Sequence, residues 1–276
     1  MWDFGFAIPS FIIIFIVLCF YFSLPRLAIR KNIYFVLVLF VEACVISLDI
    51  ISSWADNNID NLPLVLVDFL NAGYFAFFFA RALAFFYFTA SYFKLVPEKN
   101  DIRTVIINIP FIFSFLLAIT SPWTGLIYSV SSGEYQNGPL YNILYFVYGY
   151  YLVLNYIIIF RFKHRIKRRR HYYAMVSFAA ILTIGIILRK LMPHVLLMDT
   201  FCLIAILIIY LATENPEFYL EPRGSVFNSA AFRDFIDENN GRLRNKILGV
   251  VVKNYSDMRD IYGGRQIDEG IVLISR

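Results

Sequence analysis

The stretch "RFKHRIKRRRHYY", residues 161–173, decides what kind of chain this is. Seven of its first ten residues are Lys or Arg, and apolar runs stand on both sides of it. Such a run is either a nucleic-acid patch or the inner turn between two membrane helices. Composition separates the two. Of 276 residues, 59% are hydrophobic and 18% aromatic, with a mean hydropathy of +0.65. A soluble domain is about 45–50% apolar. Here the excess arrives in long unbroken runs, which is the pattern of membrane spans.

A helix needs about 20 apolar residues to cross a bilayer. Seven stretches meet or approach that length: 5–24, 33–54, 64–92, 104–120, 140–160, 172–191 and 195–213. The third is longer than needed, so it is expected to tilt or to project from the membrane. With the N-terminus outside, the inner connections are 25–32, 93–103 and the opening stretch, and together they carry thirteen Lys and Arg. The outer connections carry Asp56, Asp60 and Glu134, and the cations near them are two, Arg189 and Lys190. That asymmetry puts the N-terminus outside and the basic loop in the cytoplasm, beside anionic lipid headgroups. No nucleic-acid partner is expected. The first span has Asp3 before it, no basic residue there and no small-residue cleavage site after it, so it reads as a retained anchor.

Several chemistries are disfavoured. Cys19, Cys44 and Cys202 all lie in apolar runs, with no Cys-x-x-Cys and no Cys/His cluster, so they read as packing residues. The last span, "VLLMDTFCLIAILIIYLAT" (195–213), has no lysine for a retinal Schiff base. No His-Glu-x-x-His occurs, and His164, His171 and His194 lie in or beside loops. No catalytic residue, cofactor or metal is therefore expected in the membrane part. A small-solute transporter stays as an alternative, although no internal repeat is evident.

Charges inside a span are functional candidates by default. Counted at about 1.5 Å per residue, Glu42 and Arg81 fall at one level on the second and third spans. They read as a structural ion pair, with a switch that breaks on signalling as the sharper alternative. Asp49, Asp68, Asn142, Arg189, Lys190 and Asp199 fall near the outer surface. Two readings stand for them: the lining of an outward-facing ligand pocket, or separate contacts with interfacial water. The outer loop 120–142 holds Trp123, Tyr128, Tyr135 and Tyr141, which serve either an interfacial belt or a lid over a ligand.

The segment "TSPWTGLIYSVSSGEYQNGPLYNILYFVYGYYLVL" (120–154), with Thr120-Ser121-Pro122 and Tyr135 followed by Gly138-Pro139, resembles the seven-helix sensor region that precedes bacterial histidine kinases and cyclic-di-GMP enzymes. "SLPRLAIRKN" and "DIISSW" look like the same family, and the resemblance covers roughly residues 1–213. It implies a multi-pass protein of the bacterial cytoplasmic membrane, a homodimer, and an unidentified small-molecule ligand from outside the cytoplasm.

After Thr213 the chain turns polar. Residues 214–227 read as a connector, with Pro216 and Pro222 making a rigid bend. Residues 228–276 read as the helix–strand–helix opening of an α/β domain: a helix capped by Asn228 or Ser229 through Glu238, with Phe232, Phe235 and Ile236 on one face, a buried strand "KILGVVV", and helices around 254–261 and 266–275. So short an α/β segment suggests a piece of a longer protein. The tail resembles the start of a GGDEF domain, matching at Tyr255, Asp260, Tyr262, Gly263 and Asp268. It departs from that family where chemistry matters. Val251 stands at the metal-binding aspartate, Lys253 at its neighbour, Arg259 at the guanine-contacting asparagine, and Ile267 at the glycine before Asp268. Valine cannot hold Mg²⁺ on nucleotide phosphates, and the Gly-Gly-Asp-Glu-Phe loop itself would follow Arg276. The resemblance thus implies a catalytically inactive, degenerate output module. It leaves open that an active EAL-type cyclic-di-GMP phosphodiesterase domain follows.

The expected fold is an all-α bundle of seven transmembrane helices with a short cytoplasmic α/β segment. The expected function is a membrane sensor coupling an outside cue to that output.

Overall fold

The computed structural model describes residues 2–97, 101–131, 134–166, 168–221, 226–239 and 253–274, and among them the apolar runs are helices. These are α1 (Ala7–Ser23), α2 (Arg30–Asn57), α3 (Leu64–Tyr92), α4 (Ile102–Thr124), α5 (Ile143–Arg161), α6 (Arg169–Leu191) and α7 (Met198–Ile209). Five of them, α2 to α6, are long and apolar enough to cross a bilayer, as is the run Met198–Tyr219 that α7 begins. That makes six. The expected first span is the 17-residue α1, which at 1.5 Å per residue falls short of the ~30 Å hydrocarbon layer.

The outward faces tell what surrounds the bundle. On α4, Ile102, Val105, Ile106, Ile109, Ile112, Phe113 and Leu116 recur at helical spacing, and each is at least 51% exposed. A stripe of that kind is unfavourable against water and matched to lipid tails. It points, with the helix lengths, to a membrane protein.

Helix α3 sits at the centre, against α2, α4 and α5. Its run "FAFFFARALAFF" is apolar on all sides but for Arg81, as suits a helix enclosed by others. Phe75, Phe78, Phe79, Phe85 and Phe88 are all buried. Helix α1 packs on α2 and α7, and α6 packs on α5 and α7. Gly185 lets α6 approach α7: a Cβ there would stand 2.9 Å from Phe201 Cβ.

Two non-helical pieces close one end. After α4 a hairpin forms from β1 (Tyr128–Ser131) and β2 (Glu134–Asn137), antiparallel, with Tyr128 opposite Asn137. Gly138 turns the chain back so tightly that a Cβ would meet the carbonyl oxygens of Gly125 and Leu126 at 2.4 Å. Residues 2–5 lie across the same end. The Asp3 N–H donates to His194 O at 3.2 Å, and Trp2 exchanges hydrogen bonds with the Asn57 amide at 2.9 and 3.2 Å.

At the other end α7 runs on through a π turn, Tyr210–Glu214, into a 3-10 turn, Pro216–Tyr219, that Asn215 caps through the Glu217 N–H. Pro216 opens that turn, where its fixed φ suits it and no N–H is needed; Pro222 lies outside the described residues. Helix α8 (Ser229–Asn239) is capped by Asn228, whose Oδ1 accepts from the N–H groups of Ala230 and Ala231 at 3.0 Å. It docks through Ala231 on Leu27, Ile29 and Tyr219. Phe232, expected on the apolar face, is 51% exposed, because contact is made by the neighbouring Ala231 and by Phe235. Two further helices follow, α9 (Tyr255–Tyr262) and α10 (Gly264–Ile274). The expected strand, with Val251, lies outside the described residues, so the described part of the tail is helical.

Candidate functional site

Helix α2 presents Asp49, Ser52, Ser53 and Asp56 at i, i+3, i+4 and i+7, one polar stripe facing into the bundle. Opposite stand Asn71 and Tyr74 of α3 and Arg189 of α6. The roof is Trp2, Tyr135, Tyr141, Pro193, Val195 and Leu196. The enclosed space is about 20 Å³, room for one water. The pocket is closed in this conformation.

Aromatic stacking holds the roof. Tyr128 lies between Phe75 and Tyr135, with ring centroids at 5.3 and 6.1 Å, and its hydroxyl donates to Asp68 O at 2.6 Å. The Trp2 ring meets Tyr135 edge-on at 5.9 Å. Burial pushes the phenols of Tyr128 and Tyr135 upward, so both remain neutral donors.

Below the pocket lies a chain of buried charge. Arg81 Nη1 donates to Asp199 Oδ1 at 2.6 Å and to Glu42 Oε1 at 3.3 Å. All three side chains are 1% exposed or less. The Asp49 carboxyl lies close enough to the Asp199 carboxyl for the two to repel. Phe78 stands between two guanidiniums, with Arg81 at 4.9 Å and Arg189 at 5.0 Å from its centroid. Beside them Tyr148 Oη and Cys202 Sγ are 3.6 Å apart. Five ionisable groups from α2, α3, α6 and α7 thus form one contiguous network from the pocket floor into the bundle.

Its hydrogen bonding is incomplete. Among the described residues, Glu42 Oε2, Asp49 Oδ2, Asp199 Oδ2, Arg81 Nε and Nη2, Arg189 Nε and Tyr74 Oη have no protein partner. Buried polar atoms in that condition are where a bound water or a polar ligand fits.

The expected outer group divides. Asp49 and Arg189 line the pocket. Asp199 does not: it sits deeper, on Arg81. Two causes combine. Helix α7 starts at Met198, itself buried, after residues 193–197 have folded into the mouth. The Arg81 side chain leans toward the N-terminus of α3, as helical side chains do, and rises to meet it. Asn142 is exposed at the start of α5, and Lys190 is exposed with its Nζ 5.7 Å above the Tyr145 ring. Asp68 is partly exposed and outside the pocket lining, joined to the roof through its backbone carbonyl alone. Glu42 and Arg81 meet as their depths suggest, with Asp199 as the third member that depth counting does not reveal. Trp2, Ser52, Ser53, Asp56, Asn71 and Tyr74 are further pocket residues. The i, i+3, i+4, i+7 spacing on α2 was the legible signal for three of them.

At the opposite end Lys31 Nζ donates to Glu214 Oε1 at 3.2 Å, with the carboxylate fully buried. In the tail, Arg259 and Asp268 line one cleft between α9 and α10, together with Arg265 and Glu269.

The fold and the buried network define a helical membrane protein with a polar core. No family model, no curated protein and no solved structure matches the chain.

Proposed function

We propose that the chain is a membrane receptor that binds a small polar ligand from outside the cytoplasm and passes its occupancy along α7 to the tail. The observation that carries this reading is the position of Asp49. It lines the pocket and also lies close to Asp199, which holds Arg81 and stands in the first turn of α7. At its far end the same helix runs through the π turn to Glu214, where Lys31 ties it to α2. A ligand that opened the roof and engaged Asp49 or Arg189 would change the charge balance around Asp199, so it would favour one position of α7 over another. The sequence resemblance supports a bacterial inner-membrane sensor with a degenerate, inactive GGDEF-like output. The asymmetry of basic residues supports the pocket facing outward.

The test has two arms. A reporter enzyme active only outside the cytoplasm should work when fused after Asn58 and be silent after Arg169. In cells expressing the protein, Asp199→Asn should alter intracellular cyclic-di-GMP through the enzyme that the inactive tail regulates, while vesicles holding the protein accumulate no solute. A reversed reporter pattern overturns the orientation, and solute accumulation would favour the transporter.

A further inference from the structure

The basic end of the bundle holds a second cavity, of about 640 Å³. That is within the ~300–1,000 Å³ range of small-molecule sites. Its walls are the start of α2, the end of α3, the turn between α5 and α6, the first residues of α6, the π and 3-10 turns after α7, and α8. Its charge is lopsided. Lys31, Lys94, Arg165, Arg168, Arg170 and His171 line it, against Asp234 and Glu238.

Three of the cations are already braced. Arg165 Nη1 donates to Phe93 O at 2.9 Å, Arg170 Nη2 donates to Leu211 O at 3.0 Å, and Lys31 holds Glu214. Those bonds fix where the positive groups stand. His171 Nδ1 is 2.9 Å from Tyr92 Oη, which fixes the ring as well. Lys94 and Arg168 differ: both are exposed, and neither makes an ion pair among the described residues. On the acidic side Glu238 accepts the Arg30 N–H at 2.6 Å, and Asp234, on the same wall, makes no ion pair among the described residues. Tyr92 and Tyr219 supply aromatic walls, with Lys31 Nζ at 5.6 and 5.2 Å from their centroids.

We infer that this cavity between α8 and the basic end of the bundle binds a phosphate-bearing anion, held by Lys94 and Arg168 and framed by Lys31, Arg165 and Arg170. Guanidinium and ammonium groups converging from separate elements suit a phosphate, which takes several charge-assisted hydrogen bonds at once. A basic pocket between membrane helices at the level of the headgroups also suits a lipid phosphate. The recognising chemistry is common to both sources. Because α8 forms one wall, the bound anion would bridge α8 to the bundle. This inference is independent of what the outer pocket binds.

The experiment compares sources directly. The chain is placed in nanodiscs of phosphatidylcholine alone, and its thermal midpoint is followed as inorganic pyrophosphate is added. It is then placed in nanodiscs containing phosphatidylglycerol, with no soluble anion. A rise in midpoint in the first arm identifies a soluble phosphate, and a rise in the second identifies a lipid headgroup. Lys94→Gln with Arg168→Gln should weaken the effective arm by about tenfold or more in half-maximal concentration or lipid fraction, since two charge-assisted contacts are removed. Asp234→Asn should strengthen it, because a competing carboxylate is gone. That opposite sign guards against a double variant that merely folds badly. No stabilisation in either arm, or a shift that Lys94→Gln with Arg168→Gln and Asp234→Asn both leave unchanged, overturns the inference.

Discussion

Replacing Arg81 by Leu keeps an apolar side chain of moderate size in the bundle and removes the cation that two carboxylates share. Asp199 at 2.6 Å and Glu42 at 3.3 Å are both fully buried, so neither can turn to water. Breaking a buried pair by removing one partner costs about 3–5 kcal/mol. For a chain of this size each kcal/mol moves the thermal midpoint by roughly 2–4 °C, which gives a fall of roughly 6–20 °C. The geometry also predicts the order of couplings. The shorter contact is a fully formed charge-assisted hydrogen bond, and the longer one is not. The Arg81–Asp199 coupling should therefore exceed the Arg81–Glu42 coupling by about 1 kcal/mol in double-mutant cycles. A two-member pair would be relieved by Glu42→Gln with Arg81→Leu. The three-member cluster is not, because Asp199 stays buried without its partner. Recovery should need Asp199→Asn as well. The assay is thermal unfolding of detergent-free nanodisc samples, scored by loss of the soluble folded fraction. Full recovery by the Glu42/Arg81 double variant, or equal couplings, would refute the cluster as described.

Two further outcomes follow from the two ends of the bundle. Lys31→Met leaves Glu214 buried without its cation, and a local cost of about 1.5–3 kcal/mol should make amide hydrogen exchange in Tyr210–Tyr219 about tenfold to a hundredfold faster. Unchanged exchange there would show that the connector is held by something else. Gly138→Ala pushes a methyl group against two backbone oxygens at 2.4 Å and should destabilise the β1–β2 hairpin by about 1–3 kcal/mol, read as faster exchange over Tyr128–Asn137. Gly149→Ala, which meets nothing within 4 Å, is the neutral control.

Helix positions were legible because apolar runs of span length have few alternatives. The expected span 64–92 coincides with α3, Leu64–Tyr92. The hairpin was not read, since "YSVSSGEYQNG" is short and polar and its strands gain their stability from Tyr128 stacking on Phe75, a tertiary contact. Depth counting located Glu42 beside Arg81 because both are mid-helix, where backbone level and side-chain level nearly agree. It failed for Asp199, because the start of α7 depends on how residues 193–197 fold. The Lys31–Glu214 pair was invisible for a similar reason. Glu214 reads as connector until the π turn buries it.

The central claim is that the pocket beneath Trp2 and the connector are coupled through Asp199 and α7, and hydrogen exchange on one variant tests it. Asp49→Asn alters the pocket floor and touches nothing at the basic end. If the two ends are coupled, it should change protection both beside the pocket, in residues 52–56, and in the distant segment Tyr210–Tyr219, while the lipid-facing control Phe146→Ala changes neither. Changes confined to the pocket, with Tyr210–Tyr219 exchanging as in the unaltered chain, would contradict it.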